Sequence, residues 1–317
     1  MIHYFNLAKD DHLQSVQASE PHNWLQLTAP SKAEREKVAE AYGIPQAYLL
    51  ATTDPLEVPR HVGLNQPDTD QIPFLLLKFP FETISSSGFT QYDVQPFSLI
   101  FTPETLITCS PIPLDLQGGF KTLNLESGVM SAPEKISLHL NWYFSELYND
   151  YLSQIQTKTE NLEAQLKTAT ENEQLFQLMD LQKSLVFFEA ALQQNLDVFK
   201  EASASNYFMT SPASLSALAE IQVEIKQALN STKILNALLN QLSNIFSAIV
   251  GNNLNGIMKT LTVITIVLTI PTIIGGLYGM NVPLPFADEP MAYWWLLAAT
   301  VIISWLTIWL LKKNKFF

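Results

Sequence analysis

Residues 259–281 read Lys259-Thr260-Leu261-Thr262-Val263-Ile264-Thr265-Ile266-Val267-Leu268-Thr269-Ile270-Pro271-Thr272-Ile273-Ile274-Gly275-Gly276-Leu277-Tyr278-Gly279-Met280-Asn281, and this stretch decides the fold. Residues 260–278 carry no charge and little polarity beyond their threonines. A second uncharged run covers Tyr293–Leu311. Each approaches the ~20 residues that a helix needs to cross ~30 Å of hydrocarbon. A buried hairpin in a soluble protein is the competing reading, but Trp294, Trp295 and Trp309 near the ends of the second run fit interfacial aromatic belts. Lys259 precedes the first span, Lys312, Lys313 and Lys315 follow the second, and the loop 281–292 has no Lys or Arg. The positive-inside rule therefore predicts both termini in the cytoplasm.

The two spans differ in character. The second is almost wholly Leu, Ile, Ala and Trp, as suits a helix facing lipid. The first carries Gly251, Asn255, Met258, Thr262, Thr265, Thr269, Thr272, Gly276 and Gly279 at steps of four and three that alternate throughout. Such spacing repeats every ~3.5 residues and marks one face of a helix. Two uses fit a small, hydroxylated face. It serves helix packing, where such residues let backbones approach, or identical helices from several subunits turn it to a shared axis as a narrow polar pore. In the second case Met258 and Leu261 form apolar constrictions at the cytoplasmic end, and the pore needs an oligomer.

Outward from the spans the chain is of ordinary soluble composition. Of its 18 basic and 30 acidic residues, four lysines and two acids lie after residue 258, which leaves 14 against 28 before it. That balance argues against nucleic acid as a partner. Cys109 is the only cysteine and sits in an apolar run, which rules out an intramolecular disulfide or a cysteine-based metal cluster. The opening residues 1–12 alternate and then turn charged, so no signal peptide is expected.

The first ~125 residues read as α/β, with β-rich runs at Phe74–Phe79 and Phe97–Phe101 between Pro, Gly and Asp clusters. Ser31 with Glu34 three residues on predicts a capped helix that Gly43 ends at Tyr42. From Pro133 to about Asn206 apolar residues recur every three or four positions, predicting two long antiparallel helices broken near Thr168–Asn172. Ser211 as cap and Pro212 at the first position open a further helix. Run without a break to Tyr278, it spans ~65 residues, or ~100 Å. The expected organisation is an α/β cytoplasmic domain (1–132), its long antiparallel helices (133–209), and a long stalk helix continuing into the first of two transmembrane helices (210–280, the span about 260–279). An outer loop (281–292), the second transmembrane helix (293–311) and a basic tail (312–317) follow.

Tyr278-Gly279-Met280-Asn281, at the far end of the first span, resembles the signature of the CorA family of magnesium channels, a Gly-Met-Asn triplet usually preceded by Tyr. The approach Asn255-Gly256-Ile257-Met258-Lys259-Thr260-Leu261-Thr262 is similar to that family's Asn, Met-Lys and Leu-Thr pattern. Similarity also touches Trp24-Leu25-Gln26-Leu27 and Asp54–Arg60. The loop after the triplet departs from the family wording, so its details are not carried over.

The resemblance implies a homopentameric, funnel-shaped channel with the first span lining the pore and Gly279, Met280 and Asn281 as selectivity filter. Its cargo is Mg²⁺, with Co²⁺ and Ni²⁺ as further ions. Mg²⁺ dehydrates reluctantly, so a filter that keeps the ion's waters must recognise them through oxygens and amides; neutral Asn281 does so without trapping the ion. Asp288 and Glu289 in the outer loop either concentrate cations at the mouth or simply solvate the loop. The basic tail likewise anchors at headgroups, gates, or does both. By resemblance, intracellular Mg²⁺ bound between cytoplasmic domains holds the pore shut, and Glu220, counted back from Asn281, falls where the family often has an acidic ligand; a solvated glutamate is the plainer reading. No cofactor, ATP site or catalytic constellation is expected, and the five histidines lack ligand spacing. The partners implied are further copies of the chain, membrane lipid and divalent cations. Zinc transporters sharing the triplet, and a non-conducting membrane scaffold, are the rival readings.

Overall fold

The computed structural model describes residues 1–8, 12–64, 71–114, 130–166, 172–282, 285 and 289–313. Its packing divides the chain into two units, Met1–Ser243 and Asn244–Phe317. The first unit is built on a seven-stranded sheet. In chain order the strands are β1 (Ile2–Leu7), β2 (Leu13–Val16), β3 (Trp24–Thr28), β4 (Arg60–Val62), β5 (Phe74–Ile84), β6 (Thr90–Phe101) and β7 (Leu106–Ser110), and their order across the sheet is β2-β1-β3-β7-β6-β5-β4. Among the described strands only β3 and β7 run parallel; the other pairs are antiparallel. Every residue of β3 and β7 is buried, as expected of central strands covered on both faces.

Helices α1 (Lys32–Tyr42) and α2 (Gln46–Leu50) cover one face, where Val38, Ala39 and Leu49 pack with Leu25, Leu27, Phe74, Leu76, Ile100 and Cys109. Helix α1 has the boundaries its end signals predict. Ser31 Oγ accepts from the Glu34 N–H and the Glu34 carboxylate accepts from the Ser31 N–H, a complete capping box, and Gly43 leaves the helix at φ 64°. Helices α3 (Ala132–Leu166) and α4 (Asn172–Ala204) take the other face. Phe144 of α3 stacks at 5.5 Å on Phe79 and meets Phe97 edge-on at 4.9 Å. The Tyr148–Phe188 contact at 5.0 Å, together with a shared cavity lined by Leu162 of α3 and Leu181 of α4, makes α3 and α4 antiparallel. The break expected between them near Thr168 lies outside the described residues.

The two long strands exceed their sequence-based bounds. Pro80 and Pro96 lack an N–H and would ordinarily end a ladder, yet β5 runs on to Ile84 and β6 begins at Thr90. Both prolines sit where no neighbouring strand needs their N–H. The β4–β5 register stops at Arg60↔Leu76 and the β6–β7 register covers only Ser98–Phe101. Helix α4 replaces the missing strands: Asn195 accepts from the Lys78 N–H at 2.9 Å and donates to its carbonyl at 2.7 Å, and Ser184 Oγ accepts from the Tyr92 N–H at 2.9 Å. Cys109 is fully buried beside Thr52 Oγ1 at 3.3 Å, and burial pushes its thiol up to about 11.

Helix α5 is 67 residues long, Pro212–Tyr278, and begins as its sequence predicts, with Ser211 Oγ accepting from the Ser214 N–H at 3.0 Å. Helix α6 covers Ala292–Lys313.

Candidate pore helix and filter

Among the described residues, α5 and α6 are the two helices long and apolar enough to cross a membrane, and neither buries any of its apolar window within one chain. Met258, Leu261, Ile264, Leu268 and Ile273 are all more than half exposed or at that limit, as are Trp294, Trp295 and Trp305 on α6. Apolar surface on this scale marks a membrane or partner-facing region. Lys312 and Lys313 stand in the last turn of α6, where cations complement the helix dipole, and Lys313 Nζ lies 5.1 Å from the Trp309 ring centre.

The threonines of the α5 face make the back-bond usual for threonine in a helix, as Thr260, Thr300 and Thr307 also do. Thr262, Thr265, Thr269 and Thr272 each donate their hydroxyl to the carbonyl four residues back, Met258, Leu261, Thr265 and Leu268, at 2.7–2.9 Å. A hydroxyl whose proton is committed in this way offers only lone pairs outward. The seam is therefore a ladder of acceptors, complementary to the outward-pointing hydrogens of a hydrated cation. Asn255, Gly276 and Gly279 share its register, whereas Leu261 lies one residue off it, on the flank. Pro271 stands inside the helix and leaves the Val267 carbonyl without its N–H partner.

Helix α5 ends directly before the triplet. Gly279 N–H donates to the Gly275 carbonyl at 2.9 Å, and a Cβ on Gly279 would approach that same oxygen to 3.2 Å. Asn281 is exposed, and Met280 is 52% exposed. Tyr278 has a contact that sequence reasoning did not assign: its hydroxyl donates to the Pro285 carbonyl at 3.2 Å, linking the residue before Gly279, Met280 and Asn281 to one beyond them. The signal was there in the tyrosine that precedes the triplet. Glu289, with Tyr278, Met291 and Trp295, lines a cavity of 530 Å³ between the end of α5 and the start of α6. Asp288 and Lys315 lie outside the described residues.

Glu220 is exposed on the soluble part of α5. Among the described residues no three His, Cys, Asp or Glu side chains come together as a metal site.

Comparison with known proteins adds four findings. A family model described as CorA-like Mg²⁺ transporter protein matches residues 19–313. The cobalt/magnesium transport protein CorA of Methanocaldococcus jannaschii is 21% identical over 294 residues, covering 92% of this chain and 90% of that one. Among solved structures, the complete CorA magnesium transporter from M. jannaschii superposes with a TM-score of 0.77 at 20% identity, covering 98% of this chain and 97% of its own. The ZntB cytoplasmic domain from Vibrio parahaemolyticus has the related fold at a TM-score of 0.58 and 11% identity, over 79% of this chain and 98% of its own.

Proposed function

Because the chain belongs to the CorA-like Mg²⁺ transporter family, we propose that it forms a homopentameric membrane pore through which Mg²⁺ enters the cell down the membrane potential. The observation that carries this reading is the acceptor seam of α5, four threonine oxygens whose protons are all committed to their own helix. What sets these threonines apart is their place: they share one face of α5 with Asn255, Gly276 and Gly279, whereas Thr260 on the same helix and Thr300 and Thr307 on α6 make the same bond off that face. Around a shared axis the same oxygens hold the waters of a Mg²⁺ that need not be stripped.

Each subunit contributes one filter segment. Tyr278 links the segment to Pro285, Gly279 and Met280 carry the chain across the axis with their carbonyls available, and the neutral amide of Asn281 selects by binding coordinated water. Asp288 and Glu289 raise the cation concentration at the outer mouth. Met258 narrows the inner end, with Leu261 beside it on the flank of the seam. Residues 260–279 and 293–311 cross the bilayer with both termini in the cytoplasm, and lipid surrounds α6. Mg²⁺ is both cargo and the regulatory ion, with Glu220 among its intracellular ligands, and Co²⁺ and Ni²⁺ are further substrates. No resident cofactor is involved. Members of this family are transporters, and the chain is not an enzyme.

The test is Mg²⁺ entry into dye-loaded liposomes holding the purified protein at low internal Mg²⁺, with wild type beside Asn281→Ala. Entry by wild type and its loss in the variant are expected. Wild-type protein that admits Zn²⁺ but not Mg²⁺, or neither ion, overturns the assignment.

A further inference from the structure

A cavity of 280 Å³ opens where the end of α3 and the start of α4 meet the start of β6. Beside Thr90, its polar lining is one lysine and three carboxamides, Lys158, Asn161 and Gln165 of α3 and Gln177 of α4. Phe89, Leu162 and Leu181 form its apolar wall. In a chain with 30 acidic and 18 basic residues, a cavity whose described lining holds a cation and no carboxylate runs against the overall charge.

Lys158 is half-buried and held in place. Its Nζ donates to the Tyr92 hydroxyl at 3.0 Å and lies 4.9 Å from the Tyr92 ring centre, while the same hydroxyl, on a fully buried ring, donates to Gln154 Oε1 at 2.9 Å. Among the described residues no carboxylate forms an ion pair with Lys158. Burial holds its ammonium below the ordinary lysine value, against the opposing field of Glu82. An ammonium has three donors, of which Tyr92 takes one. Lysines drawn out of water are ordinarily paired with an anion.

The wall is held as well. In the hairpin that carries Phe89, the Ser85 N–H donates to the Phe89 carbonyl at 2.8 Å and Gly88 takes φ 86°, while Ser85 Oγ donates to the Asp180 carboxylate of α4 at 2.6 Å. Cation and wall are thus set before any ligand arrives, which lowers the ordering cost of binding. At ~30 Å³ for each water-sized group, the cavity takes roughly ten non-hydrogen atoms. That is too small for a nucleotide and suits a carboxylate carried on a ring.

We propose that this cavity is a binding site for a small aromatic carboxylate, with Lys158 pairing its charge, Asn161, Gln165 and Gln177 donating to its oxygens, and Phe89, Leu162 and Leu181 enclosing its ring. The site lies wholly within the unit Met1–Ser243 and does not depend on the pore reading.

Fluorine NMR of fluorobenzoate titrated into the purified full-length protein tests this, with neutral fluorobenzamide as the uncharged counterpart. Wild type should bind fluorobenzoate saturably with a Kd of about millimolar or tighter, and fluorobenzamide at least about tenfold more weakly. Lys158→Met should lose at least about tenfold in fluorobenzoate affinity, Lys158→Arg should stay within about threefold of wild type, and Lys183→Met, on the exposed side of α4, should match wild type. The melting midpoint of each variant without ligand reports that it is folded, and Gln177→Leu replaces Lys158→Met if that variant is not. Absence of saturable binding by wild type overturns the site. Equal binding of the two probes, or an equal loss in Lys183→Met, also overturns it, by reducing the effect to apolar partition or to general surface charge.

Discussion

At the scale of a residue, a threonine hydroxyl is an ambiguous group until its proton is located. Thr265 donates to the Leu261 carbonyl at 2.8 Å and so presents oxygen without hydrogen to whatever lies beyond its helix. Thr265→Val keeps the shape and removes that acceptor; Thr265→Ser keeps the acceptor and loses a methyl. If the oxygen holds a water of the passing ion, each copy of the valine variant loses ~1 kcal/mol of hydrogen bonding. Compounded over the copies, uptake should fall at least about tenfold, with serine close to wild type. Equal fluxes through both variants would mean the seam only packs. The seam's spacing was legible in the sequence because a 4-3 step needs nothing but residue types. The proton positions were not, since they depend on side-chain rotamers, and the Tyr278 link to Pro285 was not, since it falls outside any period.

At the scale of an element, local rules succeed where an element is decided locally. Ser31, Glu34 and Gly43 bracket α1, and Ser211 with Pro212 opens α5, because caps are satisfied by neighbours in sequence. They fail on β5 and β6, which reach past Pro80 and Pro96 because α4, more than 90 residues away, supplies the ladder partners. Asn195→Ala therefore leaves the Lys78 N–H without its partner and its carbonyl with the Tyr148 hydroxyl alone, in a half-buried setting. The cost should be ~1–3 kcal/mol, read as a lower melting midpoint by tryptophan fluorescence. A midpoint unchanged from wild type would show that water or Tyr148, whose hydroxyl also reaches the Lys78 carbonyl at 3.1 Å, takes over completely.

At the scale of the whole molecule, one chain is incomplete. Its two apolar helices bury none of their apolar windows on their own, and its acceptor seam encloses nothing. A bilayer and further copies supply what is missing, and the excess of acidic over basic residues in the soluble part favours cations at its surface. For a doubly charged ion the membrane potential contributes ~4.6 kcal/mol per 100 mV inward. That is enough to drive entry without a nucleotide or a second ion. The measurement that bears most directly on this account is the initial rate of Mg²⁺ entry into proteoliposomes as the imposed potential is stepped from zero to inside-negative at constant pH on both sides. A passive pore predicts a rate that climbs with the potential and needs no proton gradient. A rate indifferent to potential, or one that appears only when a proton gradient is added, would contradict it.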